Sequence, residues 1–437
     1  MSQRIMRIGL FTDTYLPSIN GIVYVVESLK KHLMNAGHEV YVFCPARSIR
    51  PSKHAEALDE DDHVIRFPSV KSGFFDDFDL SLFFPPKVIA QINHLDLDIV
   101  HIFTPSQVGL IGIQAAYKYD IPFVVQHSTD LYEFAEHYPS VLPGALALAS
   151  VILPMTVKLE TNEIKEIAKL YRPRRGAAKW NKDIIEKGIT MLYSKADAVI
   201  ALSRKSQRQL ESWQTEDMNY PVTLLPSGVD AIPLATPESI TLFKSQHHID
   251  DNDLVYGFVG RLGAEKNLEV LIDAFPLIAE HCPEARLVFV GDFDYRPQLE
   301  AMAQATGYGD RITFTGSIKR ELLGAAYASF DVFTFPSLKD TQGWAIHEAA
   351  HAGLPIILID QVVSEVVKNG ENGLFAENNA ASLADCVQQL FANVKLRQSY
   401  GRKSKKLAQG FSEKSQTKKV IALYQSCIAS HIERTED

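Results

Sequence analysis

Leu254-Val255-Tyr256-Gly257-Phe258-Val259-Gly260-Arg261-Leu262-Gly263-Ala264-Glu265-Lys266-Asn267 decides the fold. Its first six residues form a short apolar run that ends in a glycine-bearing loop, as a fully buried strand does. An amphipathic helix is expected next, over Leu268–His281, with Asn267 placed to cap it. A buried strand, a loop and a helix in that order make one βα unit of a parallel sheet covered on both faces.

The pattern repeats in both directions. Towards the C-terminus, strands are predicted at Arg286–Val290, Ile312–Phe314, Val332–Phe335 and Ile356–Ile359, with a helix over Trp344–Ala352. Towards the N-terminus, strands are predicted at Arg7–Thr12, Val40–Cys44, Ile99–Phe103, Phe123–Gln126, Ala198–Ala201 and Val222–Leu225. Helices fall over Val23–Ala36, which Gly37 can close, and around Gln107–Tyr119. Asp230–Asp253 is rich in Pro, Thr, Ser and acidic residues, as a linker with a short lead-in helix would be. Two doubly wound α/β domains in tandem are the economical reading. Such sheets bind ligands beyond the carboxyl ends of their strands, so the loops after strands hold the candidate chemistry.

A chain of 437 residues is too long for one ordinary core, and 46% apolar with 22% charged residues is usual for a soluble protein. Cys44, Cys282, Cys386 and Cys427 form no C-x-x-C pair, which argues against a zinc site or disulfide framework and fits a reducing cytosol. Asp13 and Pro17 interrupt the N-terminal apolar run, so no secretory signal is expected. The longest uncharged stretch, Val141–Val157, contains Pro143 and Pro154 and is short for a membrane span. These features favour a cytoplasmic protein. A net charge of −9 gives no overall nucleic-acid footprint, and no nucleic-acid partner is expected.

In the opening motif, Arg261 and Lys266 are two cations beside a helix start, a combination suited to a diphosphate. The spacing is neither G-x-G-x-x-G nor a P-loop, and a loop whose charges face water is the competing reading. A second motif runs from Phe335 to Pro355. Asp340 lies at its strand-to-helix turn, and Thr341, Gln342 and Gly343 offer backbone N–H groups to an anion. Asp340 also suits the first turn of a helix for purely structural reasons. Glu348 follows eight residues later among apolar neighbours, where a lone charge is costly and needs a polar ligand or a basic partner. A third motif, Val125-Gln126-His127-Ser128-Thr129-Asp130, puts a lone histidine after a strand, most often the place of a hydrogen-bonded core group.

Together these motifs resemble the retaining glycosyltransferases of family four, with the GT-B fold of two Rossmann-like domains facing a central cleft. The G-F-V-G-R-L-x-x-E-K-N run and the acidic pair before Ala352-Gly353-Leu354-Pro355 carry the likeness, with Phe11 to Gly21 resembling the family's glycine loop over the donor phosphates. The resemblance implies that Arg261 and Lys266 hold a diphosphate, that Glu348 binds ribose hydroxyls, and that Asp340 faces the transferred sugar. It places His127 near that sugar and assigns Gly21 to the donor. The family usually has Glu where this chain has Asp340, one methylene longer in reach. The resemblance places no D-x-D metal pair, and neither metal nor cofactor is required.

The implied donor is a nucleotide diphosphate sugar, UDP-glucose favoured, and the implied acceptor a lipid such as 1,2-diacylglycerol or another glycolipid precursor. The alternatives are a glycolipid mannosyltransferase using GDP-mannose and a nucleotide-sugar epimerase without an acceptor. Lys169–Lys182 carries six basic residues and no acidic one, with Tyr171 and Trp180 between them. It suits an anionic membrane surface, which would make the protein peripheral on the inner face of the plasma membrane, and equally suits a solvated charged face. Phe411-Ser412-Glu413, followed by a helix through Tyr424, resembles the family's terminal crossover helix. The expected domains are therefore 1–228 with 415–437, on the acceptor side, and 229–414, which binds the nucleotide sugar.

Overall fold

The computed structural model describes residues 4–18, 21–46, 62–71, 79–81, 86–104, 107–128, 165 and 177–436. The chain forms two compact units, Met1–Ser227 with Gln416–Asp437, and Gly228–Ser415.

Among the described residues of the first unit, eight strands make one sheet: β1 (Arg7–Phe11), β2 (Glu39–Ala46), β3 (Val64–Lys71), β4 (Asp79–Ser81), β5 (Ile99–Ile102), β6 (Phe123–His127), β7 (Ala198–Ala201) and β8 (Val222–Leu224). Their order is β4-β3-β2-β1-β5-β6-β7-β8. Among the described residues, only the β3–β4 ladder of this sheet is antiparallel. The direction of crossover changes between β1 and β5. β1, β5, β6 and β7 are almost wholly buried, as continuous apolar strands under helices on both faces must be.

The helix Gly21–Asn35 buries Val23, Val26, Leu29, Lys30 and Leu33, a stripe at helical spacing. Gly37 closes it at φ +89°, in the left-handed region, with its N–H donating to the Met34 carbonyl at 2.9 Å. The last helix, Glu413–Glu436, extends well past Tyr424. Val420, Ile421, Tyr424 and Cys427 share a buried cluster with Ile8, Leu10, Ile99 and Ile200. The Tyr424 hydroxyl hydrogen-bonds His101 Nδ1 at 2.6 Å, and near the helix end Arg434 and His431 pair with Asp197. This apolar stripe and its polar clasps hold the C-terminal helix to the first sheet.

The second unit carries β9 (Leu254–Val259), β10 (Ala285–Val290), β11 (Ile312–Phe314), β12 (Val332–Phe335), β13 (Ile356–Leu358) and β14 (Gly373–Phe375). The sheet runs β11-β10-β9-β12-β13-β14, and every ladder is parallel. The helix Glu269–His281 packs against Ala380–Phe391, and Trp344–Ala352 packs against Val394–Gln409. Crossover direction reverses between β9 and β12. The carboxyl ends of those two strands are where this topology puts a ligand.

Candidate functional site

Two loops leave the second sheet at that reversal, one after β9 and one after β12. The β9 loop begins at Gly260, and Gly291 at the end of β10 lies against it. A Cβ on Gly291 would fall 1.8 Å from the Gly260 carbonyl oxygen, and its φ is +143°. Only glycine lets the two backbones approach this closely.

Ala264–Lys266 then forms a single 3₁₀ turn. Asn267 follows at φ +57°, in the left-handed region that Asn tolerates better than most residues. It does not cap the next helix, contrary to the expectation from its position. That helix starts at Glu269 behind Leu268, which offers no side-chain bond. The Asn267 Nδ2 instead donates to the Pro336 carbonyl at 3.1 Å and to Asn378 Oδ1 at 2.8 Å. One amide thus ties the β9 loop to the β12 loop.

That tie brings opposite charges together. Lys266 Nζ lies 2.7 Å from Asp340 Oδ1, with the two side chains 16% and 20% exposed. The second carboxylate oxygen of Asp340 is buried and has no hydrogen-bond partner among the described residues. Arg261 pairs with Glu265 at 2.9 Å, and its guanidinium carbon sits 4.7 Å from the centre of the Phe293 ring. The two cations of the opening motif are each held by a carboxylate, and Arg261 also rests on an aromatic shelf.

Thr341, Gln342 and Gly343 lead into the helix Trp344–Ala352. Gly343 is its N-cap at φ +69°, and a Cβ there would meet Ile346 at 2.6 Å. A glycine at the N-cap has no side-chain acceptor for the first-turn N–H groups, which helix ends otherwise need. Further along, Glu348 is buried at 4% exposure. Its Oε1 accepts from Arg320 Nη1 at 2.6 Å, and its Oε2 accepts from the Tyr327 hydroxyl at 2.9 Å. Arg320 is the basic partner that a charge among apolar neighbours required. Burial, and then the charge of Glu348, push ionisation of Tyr327 well above the usual tyrosine range. Its phenol therefore stays a donor. The adjacent His347 bonds Ser364 Oγ at 3.2 Å, and burial lowers its pKa to about 3.

The first unit contributes different chemistry. His127 is the last residue of β6, paired with Ala201, rather than a residue beyond the strand. It is 1% exposed, and its Nδ1 hydrogen-bonds the Tyr193 hydroxyl at 3.0 Å. The rings of Tyr193 and Trp213 meet it edge-on, at 6.0 and 6.1 Å between centroids. Gly21 opens the first helix, and a Cβ there would meet nothing within 4 Å. Asp13, inside the same N-terminal motif, is 2% exposed. Its Oδ1 accepts from the Val108 N–H at 2.8 Å and its Oδ2 from Thr104 Oγ1 at 2.5 Å. This carboxylate ties the β1 loop to the start of the helix Gln107–Tyr119, a structural role that acidic residues at helix starts often play.

Of the residues singled out from sequence, Arg261, Lys266, Asp340, Thr341, Gln342, Gly343 and Glu348 all belong to the second unit, and Gly21 and His127 to the first. Arg320, Tyr327, Phe293 and Tyr193 were not anticipated. Val141–Val157 and the side chains of Lys169–Lys182 lie outside the described residues. No helix among the described residues is long and apolar enough to cross a membrane.

Two parallel-sheet Rossmann-like units of this kind make up the GT-B fold. Over 97% of the chain the fold matches the sucrose-phosphate synthase of Thermosynechococcus elongatus, all of which is covered, with a TM-score of 0.66 at 18% identity. Residues 19–231 match the profile of Glycosyltransferase Family 4, and residues 239–407 that of Glycosyl transferases group 1. The chain carries glycosyltransferase family 4 domains and is a glycosyltransferase. Among its relatives, the alpha-monoglucosyldiacylglycerol synthase of Acholeplasma laidlawii is 29% identical over 86% of this chain and 85% of its own length. A GDP-mannose-dependent alpha-mannosyltransferase of Mycolicibacterium smegmatis is 28% identical over 81% of this chain and 80% of its own.

Proposed function

We propose that this enzyme moves a hexose, glucose from UDP-glucose, to the hydroxyl of a lipid acceptor such as 1,2-diacylglycerol, with retention of the α configuration. The observation that carries the reading is the Lys266–Asp340 pair at the switch point of the second sheet, with Arg261 on the same loop. It supports a site where cations and a sugar-facing carboxylate converge on one small region. The relationship to a monoglucosyldiacylglycerol synthase favours glucose and a diacylglycerol acceptor.

In this reading Arg261 and Lys266 hold the diphosphate, assisted by backbone N–H groups around Thr341, Gln342 and Gly343. Glu348 takes the ribose hydroxyls and Asp340 faces the transferred sugar. Gly21 enters through the family resemblance as a donor-loop residue, and His127 as a residue near the sugar. As the sugar C1–oxygen bond breaks, its electron pair goes to the diphosphate, where the cations stabilise the growing charge more than they stabilise the bound donor. The lipid hydroxyl oxygen forms the new bond to C1 and gives up its proton, so that the products are the glycolipid, the free nucleoside diphosphate and one proton released to solvent.

Mannose transfer from GDP-mannose is the second reading, favoured by the mannosyltransferase relative. The enzyme is proposed to work as a cytoplasmic protein at an anionic membrane surface, engaged through Lys169–Lys182. Binding to anionic vesicles should fall when Arg172, Arg174, Arg175 and Lys179 are neutralised, and unchanged binding contradicts that engagement. For the reaction itself, labelled UDP-glucose and GDP-mannose are each incubated with diacylglycerol vesicles and without acceptor. Label should enter the lipid phase from UDP-glucose with release of UDP. Transfer from GDP-mannose alone selects the second reading, and acceptor-free interconversion of the nucleotide sugar contradicts both.

A further inference from the structure

Glu348 is the one carboxylate of the proposed donor site whose two oxygens are both bonded to named protein donors, Arg320 on Oε1 and Tyr327 on Oε2. These partners come from different elements. Arg320 opens the 3₁₀ turn Arg320–Leu322, and Tyr327 lies in the helix Leu323–Ala328, fully buried. They fix the carboxylate from two directions, so the plane of Glu348 is set before any ligand arrives. A carboxylate has about four acceptor positions. Two are taken, which leaves about one on each oxygen. Both protein partners donate, so whatever completes the shell must donate as well, through two groups spaced to meet two neighbouring oxygens. A vicinal diol has that spacing and that character.

We propose that Arg320 and Tyr327 are positioning residues that aim Glu348 at the ribose diol and make this site select ribonucleoside over 2′-deoxyribonucleoside diphosphates. The inference rests on the reading of Glu348 as the ribose acceptor. A buried acceptor left without its hydroxyl rejects the analogue that lacks it far more strongly than an apolar pocket would. Tyr327 matters because its hydroxyl orients an oxygen that itself meets the ligand. Removing that hydroxyl costs affinity only where the ligand supplies the second donor.

Calorimetric titration of the full-length protein with UDP, 2′-deoxy-UDP, GDP and 2′-deoxy-GDP tests this without relying on turnover. Wild type should bind the ribo form of its preferred nucleotide at least about tenfold more tightly than the deoxy form. Glu348→Gln should collapse that ratio. Tyr327→Phe and Arg320→Gln should each weaken the ribo form several-fold and leave the deoxy form within about twofold, with Arg320→Lys recovering part of the loss. Both variants are checked by thermal midpoint, and the phenylalanine keeps the buried ring. If Glu348→Gln leaves the ratio unchanged, or wild type binds no nucleotide, the underlying reading of Glu348 fails and the proposal with it. If Glu348→Gln collapses the ratio while Tyr327→Phe and Arg320→Gln change both forms equally or neither, the positioning role alone is overturned.

Discussion

Lys266 and Asp340 form an ion pair at 2.7 Å, joining the loops after β9 and β12 where the second sheet changes direction. The pair is mostly buried, so each charge depends on the other. A diphosphate arriving at Lys266 brings its negative charge beside the carboxylate of Asp340. Asp340→Asn should therefore cost the free protein about 1–3 kcal/mol while leaving UDP or GDP affinity equal or tighter. Sugar transfer should still fall at least about tenfold, because the proposed function has this carboxylate face the transferred sugar. Denaturant titration, calorimetry and turnover check the three parts, and weaker nucleotide binding contradicts the arrangement.

Arg261 rests on the ring of Phe293 and pairs with Glu265, with half of its own side chain exposed. An exposed cation–π contact contributes about 0.5–1 kcal/mol, and the exposed ion pair little more. Phe293→Ala should raise the donor KM by about two- to fivefold with kcat unchanged. A drop in kcat at constant KM would show that Phe293 acts elsewhere.

His127 is held by Tyr193 inside an aromatic cluster. Loss of that hydroxyl in Tyr193→Phe should cost about 1 kcal/mol of stability. If His127 stands near the transferred sugar, kcat should fall several-fold while the KM for nucleotide sugar holds. Unchanged kcat with the stability loss would make the cluster purely structural.

Much of the fold was legible in the sequence because its buried strands are continuous apolar runs. Leu254–Val259, Ile312–Phe314 and Val332–Phe335 have the observed ends predicted from their composition. β3 was hidden by Arg66 and Pro68, which break the apolar signal of a strand towards the sheet edge. The expected end of β6 falls one residue too early, at Gln126, because the pairing of His127 with Ala201 does not show in local composition. The motif residues Lys266, Asp340 and Glu348 were visible as residue types in loops and on a helix. Their partners were less so. Arg320 and Tyr327 meet Glu348 across 28 and 21 residues of chain, and such tertiary contacts leave no periodic trace. Asp13 lies in the stretch that resembles the donor loop, and its bond to the start of a neighbouring helix, 95 residues away in sequence, left no local trace.

Burial also sets the response to acid. His101 in the first unit and His347 in the second both have pKa values lowered from 6.5 to about 3 by burial. Between pH 6.5 and 3 the unfolded chain binds protons that the folded chain excludes. The stability linked to the neutral rings is thus complete above pH 6.5 and is lost progressively as pH falls towards 3. Urea midpoints measured from pH 7.5 to 5 should drop accordingly, and His347→Gln should flatten the slope of the second unit. Midpoints that stay level down to pH 5 contradict this.

The central claim is that the switch point of the second sheet binds the diphosphate of a nucleotide sugar, and titration of UDP and GDP into wild type and Lys266→Ala measures it directly. Wild type should bind one of the two nucleotides, and Lys266→Ala should weaken that binding at least about tenfold, the loss of a charge-assisted contact. Equal affinity in the two proteins, with the variant folded, would contradict the account.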